Sequence, residues 1–150
     1  MSNAKKNPTG KKRFFRPGFL FRLFGRTRDV GPQGSGSEWE QFAAGYLREK
    51  GLSIIARNAR LRCGEIDIIA SDGDEIVFVE VKARKNRDFG GAEYAIGSKK
   101  RRRLLAAAKE FLQRERLSGR PCRFDALLIL TGVEPPELTH IENAFGEETR

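Results

Sequence analysis

The sequence predicts a single α/β domain in which helices cover a central sheet. Three observations carry that expectation. Apolar residues recur at helical spacing in two separate segments. A hairpin pattern centred on Asp72-Gly73 lies between them. The second strand of that hairpin opens with Ile76-Val77-Phe78-Val79, a run too apolar for a sheet with one wet face. The chain of 150 residues is long enough for one good core and too short for two.

Residues 1–36 read as a basic aromatic arm and linker. Lys, Arg and Phe alternate irregularly, Pro8 and Pro17 interrupt, and Gly31-Pro32-Gln33-Gly34-Ser35-Gly36 has linker composition. The domain is expected over 37–150. Its first helix starts at Ser37, where Ser37-Glu38-Trp39-Glu40 has the form of a capping box. Trp39, Phe42, Ala43, Tyr46 and Leu47 supply one apolar face, and Gly51 fits the stop. A short strand is expected over Ser53 to Ala56.

The hairpin follows, with Glu65 to Ala70 running into the turn and Glu75 to Arg84 running out. Residues 85–97 are polar and Gly-rich around Phe89-Gly90-Gly91, and read as a surface loop. A second helix begins near Ser98, with Leu104, Leu105, Ala108, Phe111 and Leu112 as its buried face. Its first turn is crowded by Lys99, Lys100, Arg101, Arg102 and Arg103. Positive charge there opposes the helix dipole, so a neighbouring anion would account for it. Cys122 to Leu130 reads as a strand, and Leu138 to Phe145 as an edge strand.

The formal net charge is +9, unevenly placed. Residues 1–30 hold nine Lys or Arg against one acid, Asp29, and so account for eight of the nine charges. Basic charge in such an arm favours polyanions. Its phenylalanines suit stacking on bases, and the same composition suits an anionic bilayer surface. The only histidine is His140, and Cys63 and Cys122 form no CxxC pair, which excludes an ordinary zinc site. Free thiols without an export signal point to the cytoplasm. The apolar cluster Phe19 to Phe24 is broken by Arg22 and is far too short to span a membrane.

The chemistry concentrates on the hairpin. Side chains alternate faces along a strand, so Glu80 shares a face with Lys82, and Glu65 with Asp67. A two-residue turn at Asp72-Gly73 sets Glu65 opposite Glu80, whereas a four-residue turn sets Asp67 opposite Glu80. Either register gathers the acids on one face, and a one-residue slip would separate them. Carboxylates about 5 Å apart repel by roughly 3 kcal/mol at an effective dielectric near 20. One lysine cannot neutralise three acids, but a hard divalent cation can. Mg²⁺ takes one or two carboxylates and keeps waters and substrate phosphate as its other ligands.

Asp67 followed thirteen residues later by Glu80-Val81-Lys82 resembles the D…(D/E)xK signature of restriction-endonuclease-like nucleases. More narrowly, residues 37–145 are similar to the bacterial YraN-type family, an uncharacterised endonuclease-like group. The matching segments include Glu40 to Leu47, Arg57-Asn58, Gly64-Glu65-Ile66-Asp67, Val77 to Arg84, Phe89-Gly90, Lys99 and Arg123-Phe124-Asp125. That group is similar in turn to archaeal Holliday-junction resolvases, in which the first helix supplies a further acid.

The resemblance implies a restriction-endonuclease-like fold with a central mixed sheet flanked by helices. It also implies a Mg²⁺- or Mn²⁺-dependent endonuclease acting on DNA, with branched or flapped structures and a homodimer to be expected. Asp67, Glu80 and the Val81 carbonyl would hold the metal, Lys82 would assist the attacking water, and Glu40 would complete the site. The capping box alone also accounts for Glu40. Arg84, Lys85 and Lys99 to Arg103 are the candidate phosphate contacts. The alternative is a nucleic-acid-binding module of the same fold that does not cut. A third reading makes the arm a membrane or protein-docking element.

Overall fold

The computed structural model describes residues 36–86 and 96–146. The elements, in chain order, are α1 (Gly36–Glu49), β1 (Ser53–Leu61), β2 (Gly64–Asp72), β3 (Glu75–Arg84), α2 (Ser98–Arg114), β4 (Cys122–Leu130) and β5 (Glu137–Phe145). The strands form one five-stranded sheet in sequence order. β1, β2 and β3 pair antiparallel, β3 and β4 parallel, and β4 and β5 antiparallel. The parallel pair needs a crossover, and α2 supplies it. This is the mixed α/β, nuclease-like class expected.

The apolar run of β3 is buried on both sides because the two helices take opposite faces. Ile76 and Phe78 pack with Leu104, Ala107, Ala108 and Phe111 of α2. Val77 and Val79 pack with Ala43, Ala44 and Leu47 of α1. On the α2 side Phe78 stacks on Phe124 and meets Phe111 edge-on, their centroids 5.2 and 6.0 Å away. Each such fully buried side chain contributes about 1.5–3 kcal/mol through the water it sheds.

Several expectations are refined. The strand after α1 runs the nine residues to Leu61, because its second half pairs with β2 from Arg57 to Leu61. The hairpin turn is Gly73-Asp74, with Asp72 opposite Glu75 and Ile68 opposite Val79. Continued one residue, that register sets Asp67 opposite Glu80, the second of the two alternatives. Phe42 leaves the predicted buried face and is 43% exposed, since α1 lies on the sheet through Ala43, Ala44 and Leu47. α1 starts at Gly36, one residue earlier than expected, and the Ser37 side chain lies outside the described residues. So do the arm through residue 35 and the centre of the loop around Phe89-Gly90-Gly91.

Two glycines are dictated by geometry. Gly51 ends α1 at φ +90°, a conformation that side chains oppose, and its N–H bonds the Arg48 carbonyl. Gly132 passes so close to the Lys85 carbonyl that a Cβ would collide with its oxygen. That approach joins the end of β3 to the exit of β4, where Thr131 N–H also donates to Arg84 O at 2.7 Å. Opposite, Glu110 of α2 accepts from Arg62 N–H and Cys63 N–H at 3.2 Å and ties down the β1–β2 turn. Those hydrogen bonds hold its carboxyl below the usual range. Cys63 and Cys122 are exposed thiols, not joined in a disulfide. No helix among the described residues is long and apolar enough to cross a membrane.

Candidate active site

The site forms where β2 and β3 part. Their backbone pairing runs from the turn to Ile68 and Val79. One step further, the Val81 N–H donates to Asp67 Oδ2 at 2.8 Å, so a carboxylate stands where a backbone carbonyl would be. Asp67 is thereby fixed between the strands and faces Glu80. Glu80 is only 13% exposed at its side chain, and its Oε1 pairs with Lys100 Nζ at 3.0 Å. Its Oε2 is buried and meets no N–H donor, while the Asp67 carboxyl, when protonated, can hydrogen-bond the Glu80 side chain.

The electrostatic consequence is large. Burial, and then the charge of Glu80, push the Asp67 carboxyl up to about 7 from an ordinary 3.8. The Val81 N–H and Lys100 pull the other way without prevailing. At Lys100, burial works against the charge. The Glu80 pair and the fields of Asp67 and Glu65 outweigh it, and the ammonium's pKa rises above its usual value.

The remaining predicted residues are placed as follows. Lys82 shares the Glu80 face, and both line a cleft of about 340 Å³ with Lys100, Ile96 and Gly97. Glu40, on α1, leans towards the sheet and accepts a hydrogen bond from the Asn58 side chain. Burial raises its pKa, opposed by Asn58 and helped by the negative charge of Asp67 and Glu65. It senses Asp67, yet no group of three or more Asp, Glu, His or Cys side chains placed to hold a metal occurs among the described residues. Glu65 is exposed and lies opposite Arg60 of β1, not opposite Glu80.

The basic residues divide. Lys99, Arg102 and Arg103 are exposed on α2. Lys100 turns to Glu80, so the anion expected at this helix start is supplied, for that lysine, by the protein itself. Arg101 donates to the Ile96 carbonyl at 2.8 Å and lies 6.0 Å above the Phe145 ring. Arg84 bonds the Ala83 carbonyl at 3.2 Å, and Lys85 is exposed beside it.

Two residues that touch the carboxylate site were not read as doing so from the sequence. Asn58 adopts φ +49°, the left-handed region that Asn tolerates better than most side chains, and from there reaches Glu40. An Asn inside a strand was the available signal, since strands disfavour it. Lys100 was read with its basic run as a phosphate contact, and nothing in the run marks it as the partner of Glu80.

Two carboxylates with one orphaned oxygen and a lysine at the rim suit a hard divalent cation, which needs only one or two carboxylates beside water and phosphate.

Comparison with known proteins places the chain. It is 45% identical to a UPF0102 protein of Pseudomonas aeruginosa strain LESB58 over 113 residues, covering 73% of this chain and 90% of that one. It is 46% identical to one from Neisseria meningitidis serogroup C over 111 residues, covering 74% and 94%. A Pseudomonas fluorescens relative is 43% identical over 112 residues, covering 74% and 92%. The profile of the uncharacterised protein family UPF0102 matches residues 39–129, which contain Glu40, Asp67, Glu80, Lys82 and Lys100, and the chain belongs to that family.

Proposed function

We propose that this protein is a divalent-cation-dependent hydrolase of nucleic-acid phosphodiester bonds, with DNA as its first substrate class. One observation carries the reading. Asp67 and Glu80 are held face to face in a half-buried site where Lys100 leaves their charge under-compensated, with the Asp67 carboxyl at about 7 and Glu80 Oε2 orphaned. Structural acids of this burial are normally satisfied by hydrogen bonds or partners. Perturbed carboxylates in a cleft are characteristic of functional sites.

Mg²⁺ or Mn²⁺ bound here would polarise a phosphoryl oxygen and lower the pKa of water. Asp67 and Glu80 provide the anionic oxygens, with the Val81 carbonyl next to them in the chain. The Val81 N–H fixes the angle of Asp67. Lys82, lining the cleft with Glu80, is the group to orient the attacking water or meet the phosphate's charge. Glu40 acts from the far side of Asp67 and adds to the negative field without joining the carboxylate pair.

The test is cleavage of duplex, flap, single-stranded and four-way DNA with Mg²⁺, Mn²⁺ or EDTA. The wild type should cut at least one substrate only with a divalent ion, and Asp67→Ala and Glu80→Ala should not. Cleavage that survives both substitutions would sink the proposal.

A second reading keeps the fold as a binding module that does not cut. The pairing of only two carboxylates, with no third metal-binding side chain among the described residues, favours it. DNA binding that neither requires metal nor leads to cleavage would decide for it.

A further inference from the structure

A second cleft, of about 390 Å³, lies at the same end of β3 but on the α1 side of the sheet. Trp39 and Glu40 bound it from α1, and Val81, Ala83, Arg84 and Lys85 from β3 and its exit. Val81, Ala83 and Arg84 line both this cleft and the carboxylate cleft, so the two are continuous. The lining combines an aromatic ring, two small aliphatic side chains and two cations. Val81 and Ala83 are only half-buried although they point to the α1 face, because α1 covers the sheet through Ala43, Ala44 and Leu47, further along. Phe42, 43% exposed, stands edge-on to Trp39 with the centroids 6.0 Å apart, and extends the aromatic surface outward.

We propose that this cleft holds one unpaired nucleotide of the nucleic-acid strand whose phosphate enters the carboxylate site. The base would lie against Trp39, Val81 and Ala83, and the adjoining phosphate would face Arg84 and Lys85. The volume is at the small end of the range for ligand pockets and suits one nucleotide. Duplex DNA cannot offer a base there without unstacking it, whereas a single strand or flap does so at little cost. Base–aromatic stacking tolerates any base, and cations beside the ring track the backbone. The occupant is therefore set by charge complementarity at Arg84 and Lys85 and by continuity with the hydrolytic site. The proposal rests on the hydrolase reading and adds to it a substrate class, nucleic acid with an unpaired segment.

Trp39 is the single tryptophan of the chain, so its fluorescence reports the cleft directly. The full-length protein in EDTA, where no cleavage occurs, is titrated with a short oligothymidylate and with a blunt duplex of equal length. Saturable quenching by the oligothymidylate and little by the duplex is expected. Ala83→Leu fills the cleft floor, leaves Trp39 as a folding reporter, and should weaken oligothymidylate binding about tenfold, equivalent to about 1.4 kcal/mol. Lys85→Ala should lower the salt slope of binding by about one phosphate contact. Equal quenching by the duplex, no quenching by the oligothymidylate, or unchanged affinity in Ala83→Leu would overturn the proposal. Mn²⁺ binding to the same preparations separates the two readings. Measured after removal of EDTA, Lys85→Ala, which lines only the second cleft, should retain it, and its absence from the wild type would count against the hydrolase reading without altering the result for the cleft.

Discussion

Two aspartates on one sheet make opposite use of burial. Asp125 of β4 is wholly buried, and every side of it is answered. Arg123 Nε donates to its two oxygens at 3.1 and 3.2 Å, His140 Nε2 lies 2.9 Å from Oδ2, and Asn143 N–H donates to Oδ1 at 3.1 Å. Arg123 is shared onward with Asp72 at 3.1 Å and Glu75 at 2.7 Å. Burial opposes its charge, but these acids hold the guanidinium protonated well above its ordinary value. Tyr46 of α1 closes over His140, their ring centroids 5.7 Å apart. Asp67 of β2 instead accepts a backbone N–H from Val81 and faces a second carboxylate, one of whose oxygens meets no N–H donor. The first aspartate is a clasp joining β4, β5 and the β2–β3 turn. The second is a charge held where it is costly to hold, as the proposed chemistry would require.

The contrast breaks most sharply at the clasp. Asp125→Ala strips Arg123 and His140 of their shared partner. It should cost about 3–5 kcal/mol of unfolding free energy, measured by chemical denaturation, because a buried cation loses its fully buried anion and keeps only the more exposed Asp72 and Glu75. Any fall in DNA cleavage should follow the folded fraction alone. A clasp mutant as stable as the wild type would erase the distinction drawn between the two aspartates.

Next in size is Glu80→Gln, which should lower metal-dependent cleavage by more than about a hundredfold. Even partners one shell outside a metal ligand commonly cost ten- to a hundredfold. The same substitution removes the repulsion on Asp67, so metal-free stability should fall little, in contrast to Asp125→Ala.

A pH series sharpens the comparison without touching the clasp. The folded-state pKa of Asp67, about 7, exceeds its ordinary value of 3.8. Its protonated form therefore favours folding at low pH. That contribution is lost as pH rises from about 4 through about 7. Metal-free wild type should lose melting temperature across this window relative to Asp67→Asn. Mn²⁺ should restore it at the upper end, where the carboxylate is free of its proton. Identical pH profiles for the two proteins would show that Asp67 ionises without penalty.

The smallest effect is expected at Lys100. Lys100→Met removes the cation beside Glu80, but the lysine side chain is 48% exposed and its pair is screened. Metal-free stability should drop by about 1 kcal/mol or less. The stabilisation gained on adding Mn²⁺ should grow, since two carboxylates with one internal cation fewer bind an external one more strongly. Thermal melts with and without Mn²⁺ would read both changes.

Much of this was legible before any coordinates. The capping pattern and apolar spacing located α1, the run Ile76 to Val79 announced a sheet covered on both faces, and Cys122 to Leu130 appeared as a strand with its observed limits. Arg123 and Asp125 lie two residues apart on one strand, so their shared face was readable, but not the His140 and Asn143 contacts. Less legible were Phe42, whose exposure follows from the angle at which α1 meets the sheet, and the second half of β1. There Arg57, Asn58 and Arg60 hide a strand behind polar side chains that face the site and the solvent.

By itself the sequence determined the periodicities, and with them the helices, the hairpin and the face shared by Glu80 and Lys82. Backbone alternation is local and needs no partner to be read. It left two registers open for the hairpin, and both put acids near Glu80. Only the folded chain chose the one with Asp67 at Glu80, closed the Val81 N–H onto Asp67, and swung α2 so that Lys100 of its basic run meets the carboxylates. These depend on how the strands diverge and where a crossover helix lands, which are set by packing between residues distant in the chain.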